Sequence, residues 1–300
     1  MARASIPVDL GNPGQVFACL GLMEAAEILL GGAEGGFDWS GADTRFHLSA
    51  AGERNPVAAV LEFLAEARAE ADAPSGSDLA AKEAGVPTSE MPQGLFPCPL
   101  PNTPSALPCR LLSPDGTRAV PITHWVDRSV VGLDSVKFWA GMAGYSGTAL
   151  VRDMLDQIRP LDGNRLAAAV ADPFGTKDPL PVSAPQTSNL RLDYRGGNIP
   201  FDAGFAPNAH SGYVMTGFPL VEVLAAIGLE NARPERPDPR DKLVYRYAAW
   251  GRSVPPSLAR PLLGAADLGI PTRIFRMCLD WPGQENQARA ITSVREEPVR

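Results

Sequence analysis

Cysteine and histidine are scarce in this 300-residue chain, with four of the first and three of the second. Cys19, Cys98, Cys109 and Cys278 are scattered and form no C-x-x-C pair. That spacing excludes a zinc module with close-set ligands, and the low density excludes a small secreted disulfide scaffold. Four reduced thiols in a cytoplasmic protein is the reading that remains. Uninterrupted apolar runs are also missing. The longest candidate, Val16–Leu30, is broken by Glu24 and Glu27 and lacks a basic leader, so neither a membrane span nor a signal peptide is expected. No P-loop and no G-x-G-x-x-G is present. Gly144-Tyr145-Ser146-Gly147 falls one residue short of a nucleophile elbow. His47 and His124 have no motif around them. Asp193, Asp202 and His210 match no metal-ligand spacing, and they leave a small-molecule hydrolase only as a weak alternative. Glu24 and Glu27 share a helical face and read as a surface pair. The expectation is a chain without catalytic residues, metal or cofactor.

What is present is an ordinary globular composition, 45% hydrophobic and 20% charged. The length suits one large domain or two smaller ones. The net charge of -7 is unevenly spread. Residues 1–185 hold 13 Lys+Arg against 22 Asp+Glu, whereas residues 186–300 hold 14 against 12. Of those 14 basic residues, 13 are arginine and only Lys242 is lysine. Arginine is the side chain for bidentate contact with phosphates and base edges. A free-standing avid DNA binder would be basic overall, so a subunit docked among basic partners fits better.

Three portions are legible. Residues 1–72 read as strand (Ile6–Leu10), helix, hairpin (Phe37–Trp39 with Arg45–Ala50) and second helix. Asn12 is the predicted N-cap of the first helix, Pro13 its first residue, and Gly31-Gly32 its stop. That N-terminus would also suit an anion. Asn55-Pro56 opens the second helix, expected to run to about Asp72. Residues 73–121 hold ten of the thirty prolines, a density that forbids long helices and central strands. They read as an irregular insertion or linker, partly ordered through Leu95, Phe96 and Leu111. Residues 122–300 read as helices at Ser135–Met142, Thr148–Ile158, Asn164–Ala171 and Phe218–Leu229, with strands at Leu243–Trp250 and Arg273–Trp281 and an extended piece at Ala288–Val294. Helices and strands do not alternate strictly, so the predicted class is α+β, a mixed or antiparallel sheet with packed helices. The last portion could share one domain with residues 1–72.

The most informative stretch is Gln186–His210, with three asparagines, two arginines, two aspartates, a glycine pair and a histidine. Read as a strand, Leu190, Leu192 and Tyr194 take one face while Arg191, Asp193 and Arg195 take the other. Leu243–Trp250 likewise sets Lys242 and Arg246 opposite its apolar face, and Arg273–Trp281 sets Arg276 opposite Phe275, Met277, Leu279 and Trp281. Three such strands in one sheet would make an arginine-lined surface; an ordinary solvated face with ion pairs fits the same spacing. The turn Gly196-Gly197-Asn198 would let a partner approach the backbone closely.

Five segments carry a family resemblance: DLGNPGQVFACLGLMEAAEILLGGAEGGF (9–37), KFWAGMAG (137–144), SAPQTSNLRLDYRGGNIPFDAGFAPNAH (183–210), GFPLVEVLAAIGLENARP (217–234) and IFRMCLDWPGQENQARAIT (274–292). They resemble the CRISPR-associated proteins of type I-U (I-G) systems, of the Csx-fourteen or Csb-three kind, a Cas-eight-like subunit. The resemblance spans both ends of the chain and fails across the proline-rich segment. It implies a non-catalytic subunit of a crRNA-guided effector complex in antiviral defence, with other effector subunits, crRNA and target DNA as partners. DNA cleavage would belong to a separate helicase–nuclease. The nucleic-acid-contacting residues would then be Asn189, Arg191, Arg195, Asn198, Asn208, His210, Arg246 and Arg276. A purely architectural subunit of the same complex is the alternative.

Overall fold

The first secondary elements follow from a short polar turn. After strand β1 (Ala2–Pro7), Asn12 caps helix α1 (Pro13–Leu30), its Oδ1 accepting from Gly14 N at 3.0 Å. Pro13 sits where no amide is needed. Every residue from Pro13 to Ala26 is buried, so α1 runs through the middle of the fold. By length and composition it could cross a membrane, but 78% of it lies inside the protein. The helix stops at Gly31, whose φ of 79° favours glycine. The computed structural model describes residues 1–79, 87–96, 107–122, 126–129, 132–135, 147–185, 190–195, 215–241, 243–280 and 290–298.

Beyond α1 come strands β2 (Glu34–Asp38) and β3 (Arg45–Ala50), helix α2 (Pro56–Glu66) and strand β4 (Arg68–Pro74). Next are β5 (Thr88–Met91), β6 (Cys109–Leu112), β7 (Ala119–Ile122), β8 (Val126–Ser129) and β9 (Gly132–Ser135). The remainder is α3 (Gly147–Ile158), α4 (Gly163–Ala171), the short bridges β10 (Ala184–Pro185) and β11 (Thr216–Gly217), α5 (Pro219–Gly228), β12 (Val244–Trp250), α6 (Pro256–Leu263), β13 (Thr272–Asp280) and β14 (Ala290–Glu296). Three sheets do most of the work: β1-β3-β2, β5-β4-β6-β7 and β12-β13-β14. The first and third are antiparallel, and in the second β4 pairs parallel with β5. With six α-helices among the described residues, the class is α+β, as predicted.

Several boundaries depart from the sequence reading. The first strand begins at Ala2 and ends at Pro7, because it is set by pairing with β3 from Ala2↔Ala50 to Pro7↔Arg45. The second helix ends at Glu66, and the alanine-rich run to Pro74 is strand β4. Local helix propensity yields there to pairing with β6, where Arg68 opposes Leu112. The proline-rich segment contributes more than a linker would: Cys109, Leu111 and Val120 lie in the main core. Pro121 is accommodated because β7 is an edge strand, where a missing amide donor is tolerated. Leu95 stays exposed, and Phe96 packs on a small satellite cluster of Ala71, Ala73, Leu79 and Leu107. Apart from Ser135, which closes β9, the predicted helix at Ser135–Met142 lies outside the described residues. Glu24 is not on the surface: buried to 4% exposure, it takes a two-pronged ion pair from Arg260 of α6 at 2.6 and 2.8 Å. Glu27 accepts from Ala33 N at 2.6 Å.

The main core is one continuous cluster, with members from Ile6 to Ile291. Its axis is the crossing of α1 and α5. Gly14, Ala18, Gly21 and Ala25 recur at helical spacing along one side of α1, and all four are buried. A Cβ on Gly21 would collide with the carbonyl of Leu224, and one on Gly228 with the carbonyl of Phe17. Backbone therefore meets backbone where the helices cross. Neither carbonyl can swing aside as a side chain would. We predict that Gly21→Ala and Gly228→Ala each lower unfolding free energy by about 1–3 kcal/mol or more. A urea midpoint unchanged in both variants would disprove this account of the crossing.

Candidate nucleic-acid interface

The polar stretch at 190–195 is built inward. Glu222, the one charged residue of α5 and 3% exposed, lies beneath it. Its Oε2 accepts from Leu190 N at 3.0 Å and Leu192 N at 3.1 Å, and its Oε1 accepts from Asp193 N at 3.0 Å. One carboxylate thus satisfies three amides of a segment that pairs with no strand among the described residues. The segment turns there, and Arg191 adopts φ 63°, a left-handed conformation uncommon for a residue with a side chain. Burial pushes the Arg191 guanidinium pKa down, while the Glu222 charge acts the other way.

Asn12 locks the same segment to the start of α1. Its Nδ2 donates to Asp193 Oδ1 at 3.0 Å, and its Oδ1 accepts from Tyr194 N at 3.2 Å as well as from Gly14 N. Gly14 is required here, since a Cβ would strike the Leu192 carbonyl. Asp193, 2% exposed, takes a two-pronged ion pair from Arg195. The Arg195 guanidinium also donates to the carbonyls of Phe174 at 2.7 Å and Gly175 at 2.9 Å. It stacks 3.5 Å from the centroid of the Phe218 ring. Gln15 completes the hub, accepting from Asp9 N at 2.8 Å and from the Thr176 hydroxyl at 3.0 Å. Four separate pieces of chain are thereby pinned together.

This arrangement corrects the sequence reading of Leu190–Arg195. The segment is not a strand, and Arg191 and Arg195 do not extend an arginine face. Asp193, the first residue of the supposed acid–base cluster, is held in the buried hub. Asn189, Asn198, Asn208 and His210 lie outside the described residues, as do Asp202 and Lys242. Among the described residues no group of three or more His, Cys, Asp and Glu side chains could hold a metal ion.

The other two arginine strands do share a sheet. Across β12-β13-β14, Arg246 opposes Arg276 and Arg276 opposes Arg295. Like charges side by side in a sheet repel, and acidic neighbours relieve this row. Arg246 binds Glu235, Nε to Oε2 at 2.9 Å, and Glu297 at 3.3 Å. Arg276 binds the same Glu297 at 2.8 Å. Arg295, at the exposed edge, has no ion pair among the described residues. Arg276, Arg295, Glu296 and Glu297 border a shallow depression of about 460 Å³. Sequence reasoning missed Arg295 because the final extended piece was ended one residue short, at Val294. It missed Glu222 because a lone acid in an apolar helix carries no motif; its isolation was the available signal.

Set beside known proteins, the chain finds no counterpart: no protein-family model, curated protein or solved structure matches it.

The hub has a pH signature. Burial pushes Glu222 up to about 7 from its ordinary 4.5, against the pull of its three amide donors. Between those values the folded chain holds a proton that the unfolded chain has released. The stability contributed by this group therefore falls as pH rises from about 4.5 to about 7 and is level above that. Glu222→Gln, which cannot titrate, should flatten that part of a Tm-against-pH curve while lowering Tm through a lost amide partner. An unaltered slope in the variant would place the titration elsewhere.

Proposed function

We propose that this chain is a non-catalytic subunit of a type I-U CRISPR effector, working in the cytoplasm with other effector subunits, crRNA and target DNA. Its contact with nucleic acid is the outer face of β12-β13-β14. The observation that carries this reading is the single row Arg246, Arg276, Arg295 across three adjacent strands. Guanidinium groups at strand spacing suit successive backbone phosphates, which position a complex without reading sequence. In a guided complex sequence is read by base pairing, so backbone contact is the help a subunit gives. Glu235 and Glu297 hold two of the three guanidinium groups in place and leave the row one positive charge in excess.

A second reading, a purely architectural subunit, draws on the ion pairing of Arg195 and Arg246 within the chain. The two separate in the assembled complex. Arg276→Ser with Arg295→Ser should weaken target binding and lower the slope of log K against log salt by up to about 1.8 for duplex DNA. Target binding that matches the unaltered complex across the salt series would remove this face from the interface and leave the architectural role.

A further inference from the structure

A second cleft shares no lining residue with the depression at the arginine row. In β1-β3-β2 the register sets Arg3 beside Ser49 and Ser49 beside Glu34, and in the next outward layer Ser5 beside His47 and His47 beside Gly36. The intervening residues, Ile6, Phe46 and Leu48 among them, point into the core. The sheet therefore has an inner apolar face and an outer polar one. Helix α1, which links β1 to β2, lies in the core on the inner side, and Arg3, Glu34 and His47 on the outer face are exposed.

The segment following β12 makes a wall along this face. Gly35 and Val254 exchange backbone hydrogen bonds at 3.0 Å in both directions, and Trp250 Nε1 donates to Gly35 O at 2.9 Å. Gly36 lies so close beneath Arg252 that a Cβ there would meet the Arg252 carbonyl. The wall is thus fixed by backbone contacts before any ligand arrives, which lowers the cost of binding. Between wall and sheet is a cleft of about 530 Å³, within the range of small-molecule sites.

Its chemistry is mixed. Arg3 and Arg252 border it, both exposed and both without an ion pair among the described residues. His47 stands on the floor with Asp38 3.7 Å from its Nε2, and Glu34 lies at the far side. A plain anion would be repelled by the two carboxylates, and a plain cation by the two arginines. The set matches a ligand that carries an anion, a flat ring and hydrogen-bond donors together.

We propose that this cleft is a ribonucleotide site, occupied by a free nucleotide or by one unit of a single RNA strand. The phosphate lies between Arg3 and Arg252, the base stacks on the His47 ring, and Glu34 accepts from the ribose 2′-hydroxyl or a base amine. This site does not depend on the β12-β13-β14 face.

The test is fluorescence anisotropy of the full chain with a labelled single-stranded RNA hexamer, a DNA hexamer of the same sequence, and adenosine monophosphate as competitor. RNA binding should be weakened several-fold by Arg3→Ser and by Arg252→Ser, both exposed positions. Together they should lower the salt slope by about 1.4. Efficient competition by the monophosphate would identify the free nucleotide as the source; poor competition would identify the strand. Absence of RNA binding at millimolar concentration, equal binding of DNA, or variants that bind like the unaltered chain would overturn the proposal. Arg295→Ser should leave hexamer binding intact; a loss there, with Arg3→Ser and Arg252→Ser unaffected, would move the contact to the arginine row.

Discussion

The fold depends on how closely α1 is approached by its neighbours. Gly21 and Gly228 let α1 and α5 meet backbone to backbone, and Gly14 lets the 190–195 segment lie against the first turn of α1. Once the helices are that close, Glu222 on α5 lies within hydrogen-bond reach of the amides at 190, 192 and 193. Asn12, at the start of α1, reaches the same segment from the other side. The buried polar hub is therefore a consequence of small residues on two helices. Without the close crossing, its carboxylates would be buried without partners, which is expensive.

The sequence made some of this legible for clear physical reasons. Asn12-Pro13 and Gly31 mark both ends of α1 because capping and φ requirements act locally. The strands at Val244–Trp250 and Thr272–Asp280 follow from period-two patterning over long runs. What stayed hidden depends on contacts distant in the chain. The Arg68–Pro74 run is helix-prone by composition and became a strand through β6. Leu190–Arg195 has an alternating pattern, yet its amides were already claimed by Glu222 about thirty residues away. The mixture of polar residues there did signal an unusual role, but the direction was inward. Arginine beside aspartate two positions away describes a keystone ion pair as well as it describes a phosphate contact.

That distinction recasts the charge of the chain. The arginine bias of residues 186–300 is used largely for joining pieces of the protein. Arg195 ties Asp193 to the 174–175 turn, Arg260 neutralises Glu24, Arg246 links Glu235 to Glu297, and Arg273 meets Glu296. Outward at the two proposed contact surfaces are Arg276 and Arg295 on β13 and β14, and Arg3 with Arg252 at the β1-β3-β2 cleft; Arg68, Arg118, Arg165 and Arg240 are exposed elsewhere. The net charge of -7 would suit the proposed role, a subunit whose affinity for nucleic acid comes mainly from its neighbours.

The claim that this chain works inside an RNA-guided complex is tested most directly by purifying it, tagged, from cells that express its neighbouring genes and sequencing the RNA that comes with it. The account predicts stoichiometric partner subunits and a bound RNA population of uniform length with a shared repeat-derived end. Recovery of the chain alone, with no partner subunits and no defined RNA, would contradict it.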